Sequence, residues 1–135
     1  MLHKPSPDPP VWAAPLIGQT LHSAFPGLGS CEGNTDNVLV RYIGPPSGVK
    51  IVGWGWDTNA RRGFRRIVAA DDAGLIVGAG EGELPRPDVM RARPNIDALN
   101  TGWQVTVRRD SGSVEAYGVM NDGRSVCRLG RLDIQ

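Results

Sequence analysis

The sequence predicts an all-β fold, an antiparallel β-sandwich of the jelly-roll or immunoglobulin-like kind with one short helix in a crossover loop. Eighteen glycines and eleven prolines, in a chain that also contains many valines, isoleucines and tryptophans, are typical of short strands joined by tight turns. From Cys31 onward, short β-rich stretches recur between turn signals at the spacing of a sandwich or barrel. The 135 residues are the length of one ordinary domain.

The chain divides into a proline-rich segment, residues 1–25, and a sandwich domain, residues 26–135. The first segment has no sustained periodicity and reads as a linker or as an arm laid over the domain. The second segment contains the β-rich stretches. We predict strands at residues 37–43, 49–57, 64–71, 75–79, 103–109, 114–121 and 125–132.

Two turns and one strand carry the clearest local signals. Residues 71–74 and 121–124 contain the Asp, Asn and Gly residues that tolerate positive φ, and each lies between two apolar stretches, so each predicts a hairpin. In the strand at 103–109 one face is apolar and the other polar, as expected of a half-buried strand. Its apolar face consists of Trp103, Val105 and Val107, and its polar face of Gln104, Thr106 and Arg108.

The stretch between Gly80 and Gly102 lacks strand periodicity. Pro87 is able to open a helical turn and Pro94 to end it, so one or two turns fit between them. We therefore predict a long crossover that carries a short helix.

Charge and hydropathy exclude some classes of protein. The formal net charge of +1 argues against a nucleic-acid binder that depends on broad positive potential. No run reaches the roughly 18 apolar residues that a membrane span needs, and the segment after Met1 is too proline-rich for a signal-peptide core. Two readings remain: a cytoplasmic protein complete as written, or a soluble part of a longer chain that is targeted by another segment.

Cys31 and Cys127 stand near the beginning and the end of the predicted core. The first and last strands of a sandwich often lie side by side, so we predict a disulfide between them. Closing a loop of roughly 100 residues stabilises by about 4 to 5 kcal/mol in the chain-entropy model. The alternative is two unrelated buried thiols. A disulfide favours an extracytoplasmic location.

Several short motifs resemble the soluble C-terminal domain of uncharacterised, multi-spanning bacterial membrane proteins. The resemblance covers about Cys31 to Leu129. The motifs are 31–36 (CEGNTD), 53–57 (GWGWD), 68–71 (VAAD), 74–78 (GLIVG), 86–89 (RPDV), 102–103 (GW), 116–117 (AY) and 127–129 (CRL). The RPDV element, followed by Gly and an aromatic residue, is also similar to features of bacterial immunoglobulin-like and carbohydrate-binding-like modules.

This resemblance implies a periplasmic or cell-surface β-sandwich attached to a membrane anchor, in a protein concerned with surface glycans. It transfers no catalytic residues. The implied partners are carbohydrate or a membrane-embedded region of the same longer protein.

The residue pattern argues against an enzyme. His3 and His22 lie in the proline-rich segment, away from any nucleophile in an elbow-like context. Paired acids occur at residues 71–72 in a predicted turn and at 81 and 83 in a glycine-rich loop, whereas glycosidases hold two carboxyl groups about 5 to 9 Å apart across a cleft. We predict no catalytic residue, no metal and no cofactor.

Trp54 and Trp56 are the candidate carbohydrate platform. They share one strand face, and the apolar face of a sugar ring packs well on an indole. The alternative, which we favour, is that they fill the core of a small sandwich, and Trp103 is assigned to the core more firmly because its strand alternates.

Residues 61–66 (RRGFRR) concentrate four guanidinium groups beside one aromatic ring. Arg62, Arg65 and Arg66 are the candidate ligand-binding residues here, because guanidinium groups bind phosphate and carboxylate bidentately, on an anionic polysaccharide or a lipid head group. The alternative, a solvated loop whose arginine stems cover apolar surface, is the one we favour.

Two further polar motifs have structural interpretations. Asp57-Thr58-Asn59 is able to contribute oxygen ligands to calcium but is commoner as a turn, in which the side chain bonds its own backbone. In 86–88 (RPD), Asp88 is expected to cap the short helix while Arg86 pairs with a nearby carboxylate.

The leading function hypothesis is a non-catalytic extracytoplasmic module that binds carbohydrate or a membrane-embedded partner, tethered to a membrane in the full-length protein. The alternatives are a purely structural immunoglobulin-like spacer without ligand and a cytoplasmic enzyme accessory domain.

Overall fold

The computed structural model describes residues 4–135, so His3 lies outside the described residues. It contains eight strands and two short α-helices, preceded by a single 3-10 turn at Ala14–Leu16. The elements are α1 (Leu21–Ala24), β1 (Gly27–Leu28), β2 (Glu32–Tyr42), β3 (Gly48–Trp56), β4 (Arg66–Asp71), β5 (Ile76–Pro85), α2 (Pro87–Ala92), β6 (Asn100–Val107), β7 (Gly112–Val119) and β8 (Ser125–Ile134). Neither helix is long and apolar enough to cross a membrane.

The strands form one curled sheet in the order β1-β8-β7-β4-β5-β6-β3-β2. Neighbouring strands are antiparallel except β1 and β8, which are parallel. The curl brings β2 beside β8, where the Thr35 hydroxyl donates to the carbonyl oxygens of Leu129 at 3.2 Å and Gly130 at 3.0 Å. The two ends of the sheet therefore meet along a seam.

A disulfide between Cys31 and Cys127 crosses this seam, with the two Cα atoms 6.0 Å apart. Cys31 directly precedes β2 and Cys127 lies in β8, so the predicted disulfide between Cys31 and Cys127 is confirmed. Such a bridge is typical of proteins in oxidising, extracytoplasmic compartments.

The inner face of the sheet forms the main hydrophobic core. Every strand from β3 to β8 contributes, because inward-facing residues alternate with outward-facing ones. In β6 the predicted alternation is confirmed: its apolar face is buried and its polar face is exposed or half-buried. The largest buried members are Phe64, Ile51, Ile67, Trp103, Val105, Val107 and Leu129.

The outer face is covered in two places. The N-terminal arm, residues 4–25, lies over β4, β5, β7 and β8, where Ala13 and Phe25 pack in a second cluster with Val68, Ile76 and Val126. The crossover between β5 and β6, which carries α2, lies over β3 in a third cluster. Both covers exclude water from apolar outer-face residues.

The all-β class and the single short helix in the crossover are confirmed. Several strand bounds differ from those predicted: β2 begins at Glu32 rather than at residue 37, and β5 continues to Pro85 rather than ending at 79. The glycine- and glutamate-rich stretch after Ala79 has low β-propensity, but β4 and β6 pair with it on both sides. A Cβ at Gly80 would collide with the carbonyl oxygen of Gln104, so close strand approach accounts for this glycine.

Candidate functional site

A cleft of about 230 Å³ lies where the β3–β4 connection meets the β7–β8 hairpin. The guanidinium-bearing residues Arg62, Arg65 and Arg66 all line it, opposite Met120 and Asn121. The structure thus brings together the three arginines that the sequence marks as candidate ligand-binding residues. We refer to this depression as the arginine cleft.

A tight turn after β3 positions Arg62. The Asp57 carboxylate accepts hydrogen bonds from the backbone N–H groups of Asn59 at 3.0 Å and Ala60 at 3.1 Å. The Asp57 N–H donates to the Arg62 carbonyl oxygen at 2.8 Å, which closes the turn. Asp57 therefore acts as a turn residue, the commoner role for this motif. Within residues 4–135, no group of three or more His, Cys, Asp or Glu residues is arranged to hold a metal ion.

Phe64 anchors the centre of the arginine-rich segment. Its side chain is 4 % exposed and packs in the inner core, so the arginines before and after it are held at the surface. A Cβ on Gly118 of β7 would lie 2.6 Å from the Phe64 ring, so this glycine is required for the ring to pack against β7. One buried aromatic thus fixes the floor of the cleft.

The three guanidinium groups have different partners. Arg62 Nη2 donates to the Asn121 side-chain oxygen at 2.5 Å. Arg66 lies 4.9 Å from the centroid of the Trp12 ring in the N-terminal arm. The Arg65 side chain is 77 % exposed, and its Nε is 3.9 Å from Glu83 Oε1. Within residues 4–135, neither Arg62 nor Arg66 has a carboxylate within 4.0 Å.

Asp57, which lines the cleft, and Asp122, which lies beside it in the β7–β8 hairpin, are occupied by their own turns. Asp57 caps the turn after β3, and Asp122 accepts from the N–H groups of Arg124 and Ser125, each at 2.8 Å. The Arg124 N–H, together with Ser125, lowers the pKa of Asp122, which keeps that carboxylate ionised and bound to its hairpin. The positive charge of Arg62 and Arg66 is therefore not neutralised by a directly paired acid.

Backbone strain flanks the arginine cleft. Within residues 4–135, two non-glycine residues have positive φ: Arg61 at 56° and Glu83 at 61°. Arg61 ends the turn that presents Arg62, and Glu83 lies beside Arg65 at a register shift in β5. Left-handed conformations of such residues cost about 1 to 3 kcal/mol and concentrate at functional sites.

Arg61, the fourth arginine of the segment, belongs to a different surface. Its guanidinium pairs with Asp97 at 3.0 Å and lies 5.9 Å from the centroid of the Trp56 ring. Arg61 therefore lies over Trp56 of β3 rather than in the arginine cleft.

Trp54 and Trp56 lie beneath the crossover between β5 and β6. Trp54 is 7 % exposed and Trp56 is 1 % exposed, and both pack with Val89 of α2 and with Ile96. Arg93 lies 5.2 Å from the centroid of the Trp54 ring. This burial favours the core role for the pair over the sugar platform, since Val89, Ile96 and Arg93 pack against the indole rings.

Arg86 and Asp88 fasten the crossover to the sheet. Arg86 Nε and Nη2 each donate to a carboxylate oxygen of Asp88 at 2.9 Å, while Nη1 donates to Asp36 of β2 at 2.9 Å and to the Gly53 carbonyl oxygen at 3.3 Å. The Arg86 guanidinium lowers the pKa of Asp88 to about 2. Asp88 lies in the first turn of α2, whereas Arg86 holds the N-cap position without a side-chain cap. The predicted cap is therefore wrong, but the predicted pairing of Arg86 with a carboxylate is confirmed.

Two residues that orient the arginines of the cleft could not be identified from the sequence. Trp12 is an aromatic residue in a stretch without periodicity, and its contact with Arg66 depends on how the arm crosses the sheet. Asn121 reads as an ordinary hairpin residue, and its side chain reaches Arg62 only because β7 lies beside β4. Strand order determines both contacts.

Comparison of the chain with protein-family models, with curated proteins and with solved structures finds no match. The interpretation of the arginine cleft therefore depends on its own geometry and charge.

Proposed function

We propose that this chain is a non-catalytic, extracytoplasmic binding module that holds the acidic groups of a glycan in the arginine cleft. The observation that carries the proposal is the convergence of Arg62, Arg65 and Arg66 on one depression, two of them without a carboxylate partner in the part of the chain that the structure describes. A guanidinium forms paired hydrogen bonds with a carboxylate, so an acidic sugar would supply the missing counter-charge.

The contacts of Arg62 and Arg66 support a binding site whose side chains are oriented before the ligand binds. Asn121 holds Arg62 through a neutral amide oxygen, and Trp12 holds Arg66 through its ring face, so both side chains are oriented while their charge stays available. Orienting a side chain before binding reduces the entropy lost when the ligand arrives. A spacer domain without ligand would have no need of unpaired, oriented guanidinium groups.

The compartment is the second part of the proposal. The disulfide supports an oxidising location, and the resemblance of the short motifs supports a periplasmic or cell-surface module tethered to a membrane in a longer protein. Mass spectrometry of the protein from its native compartment, alkylated with and without prior reduction, tests this. We expect alkylation of Cys31 and Cys127 only after reduction. Two free thiols in the native protein would contradict the extracytoplasmic assignment.

The binding proposal is tested by calorimetric titration at low and at moderate salt. The probes are hyaluronan hexasaccharide and oligogalacturonate as acidic glycans, cellohexaose as a neutral glycan, and phosphatidylglycerol vesicles as a lipid source of anionic groups. We expect at least one acidic glycan to bind, with affinity falling as salt rises, and cellohexaose and vesicles not to bind. Binding to the vesicles alone would replace the glycan with a lipid head group and so overturn the proposal.

Matched variants locate the site. Arg62→Gln/Arg66→Gln removes two charges from the cleft, and we expect it to weaken acidic-glycan binding at least tenfold, since each charge-assisted contact contributes about 1.5 to 3 kcal/mol. Arg91→Gln is the control, because Arg91 is exposed on α2 and does not line the cleft. No binding to either acidic glycan, or equal weakening by the control, would leave the spacer domain as the better interpretation.

A further inference from the structure

A second depression of about 280 Å³ adjoins the arginine cleft on the outer face of the sheet. Its polar lining comes from three neighbouring strands: Glu81 of β5, Gln104 and Thr106 of β6, and Lys50 of β3. Ala79 and Gly80 also line the depression, and because neither has a large side chain they do not fill it. We refer to this surface as the outer-face track.

Strand register connects the two depressions. Arg66 lies opposite Glu81 in the backbone register, and Glu81 lies opposite Gln104, so these three residues form one row across β4, β5 and β6. Two residues further along the strands, Thr106 pairs with Lys50. From β4 to β3 there are three strand spacings, which amount to about 14 Å. The lining of the cleft and that of the track therefore meet at Arg66 and Glu81, and together they extend over more than the length of one sugar ring.

The N-terminal arm lines the track and contacts one arginine of the cleft. Trp12 lies against Arg66 in the cleft, and Pro7, Asp8 and Pro10 line the track. Arg108 holds this part of the arm by donating to Asp8 at 3.0 Å. The arm thus forms a wall of the track and contacts the cleft through Arg66.

The side chains of the track are free to bind a ligand. Within residues 4–135, no hydrogen bond or ion pair joins the side chain of Lys50, Glu81, Gln104 or Thr106 to another group. Arg108, on the same face of β6, is by contrast paired with the arm. A row of unpartnered donors and acceptors on three adjacent strands is suited to the hydroxyl and amide groups of sugars.

The charges along the surface are not uniform. The cleft is cationic, Glu81 stands at the beginning of the track, and Lys50 stands at its far end, while Asp8 of the arm is paired with Arg108 beyond Thr106. A carboxylate placed over Glu81 would be repelled, whereas a neutral sugar would be accepted there. We infer that the cleft and the track together bind an extended oligosaccharide in which acidic units are separated by neutral ones. This inference rests on the proposed function of the cleft.

The inference is tested with glycans of equal length and different charge pattern. We expect hyaluronan hexasaccharide, which alternates acidic and neutral units, to bind at least tenfold more tightly than oligogalacturonate hexamer, in which every unit is acidic. We also expect Glu81→Gln to reduce this difference by strengthening oligogalacturonate binding. Equal affinity for the two hexamers in both proteins would overturn the inference while leaving the arginine cleft intact.

Chain length supplies the second test. We expect Gln104→Ala/Thr106→Ala to weaken hyaluronan hexasaccharide binding about tenfold, the effect of losing two hydrogen bonds, and to leave disaccharide binding unchanged. Ser111→Ala, which removes an exposed hydroxyl outside the track, is the matched control and should change neither. A track variant that binds the hexasaccharide like wild type would overturn the inference. Failure of both acidic glycans with wild type would instead overturn the proposed function itself.

Discussion

Two segments cover the outer face of the sheet, and they are attached in different ways. Besides the exposed Arg108–Asp8 ion pair, the N-terminal arm is tied by backbone hydrogen bonds, with Gly18 N–H donating to the Ile76 carbonyl oxygen at 2.9 Å and Ile76 N–H donating to the Gln19 carbonyl oxygen at 2.8 Å. The crossover over β3 is tied by side-chain charge, through Arg86 and its two carboxylates. Backbone attachment does not depend on ionisation, whereas the crossover should loosen when its acids are protonated.

The largest effect is expected beneath the crossover, at Trp56. Its indole is 1 % exposed and packs against Val89 and Ile96, so Trp56→Ala leaves a cavity under α2. We expect the free energy of unfolding to fall by about 3 to 5 kcal/mol. Urea denaturation followed by circular dichroism measures it. Trp56→Phe, which keeps most of the volume, should cost less, and a cost below about 1 kcal/mol for Trp56→Ala would show that the crossover is not a packed layer.

The second largest loss of stability is expected in the N-terminal arm. Phe25 is 7 % exposed and packs with Ala13 and Val126, so Phe25→Ala should lower the free energy of unfolding by about 3 kcal/mol. Because backbone hydrogen bonds join the arm to the sheet, arm and sheet should unfold in one transition. His22→Ala, at an exposed position of the same arm, is the control and should change stability by less than about 0.5 kcal/mol. Two separate transitions in the wild-type protein would contradict an integral arm.

Arg86 comes next. Arg86→Met leaves Asp36 and Asp88 without their shared guanidinium, and we expect a loss of about 1 to 3 kcal/mol, measured by urea denaturation. Hydrogen exchange should increase in α2 while the arm keeps its protection, since the two covers are attached independently. Asp36→Asn, combined with Arg86→Met in a double-mutant cycle, separates the pairing from the packing of the Arg86 stem. Equal loss of protection in both covers would contradict their independence.

The same comparison explains what the sequence could predict. Alternation and turn signals depend on neighbouring residues, so the β6 pattern and the hairpin turns were predictable. The crossover helix was also predictable, because Pro87 and Pro94 bound it locally. The path of the arm was not, because no periodicity marks which side of Trp12 or Ala13 is buried; strand order decides it.

The candidate site, too, was predictable from the sequence only in part. The arginine-rich segment was predicted as a possible anion site, and three of its four arginines do meet in one cleft. The divergence of Arg61 was not predictable, because it depends on the turn that Asp57 closes and on the position of Asp97 in the crossover. The outer-face track was not predicted, because it arises from the pairing of β5, β6 and β3, strands that are distant in sequence.

The smallest predicted effect is the pH dependence of the crossover. The folded-state pKa of Asp88 is lowered to about 2 by Arg86, below the value of about 3.9 for an unpaired aspartate. A lowered pKa contributes stability that is fully present above about pH 4 and is lost as pH falls toward 2. The urea midpoint should therefore drop between these values, and Asp88→Asn should make that drop shallower.

Asp110→Asn, at an exposed position between β6 and β7, is the control for this titration. The pKa of Asp122 is also lowered, by the Arg124 N–H, so it contributes a drop in the same direction in every variant. Only the difference between wild type and Asp88→Asn in the drop of the urea midpoint measures the contribution of the crossover. If hydrogen exchange at low pH increases in the arm before it increases in α2, charge is not what distinguishes the two covers.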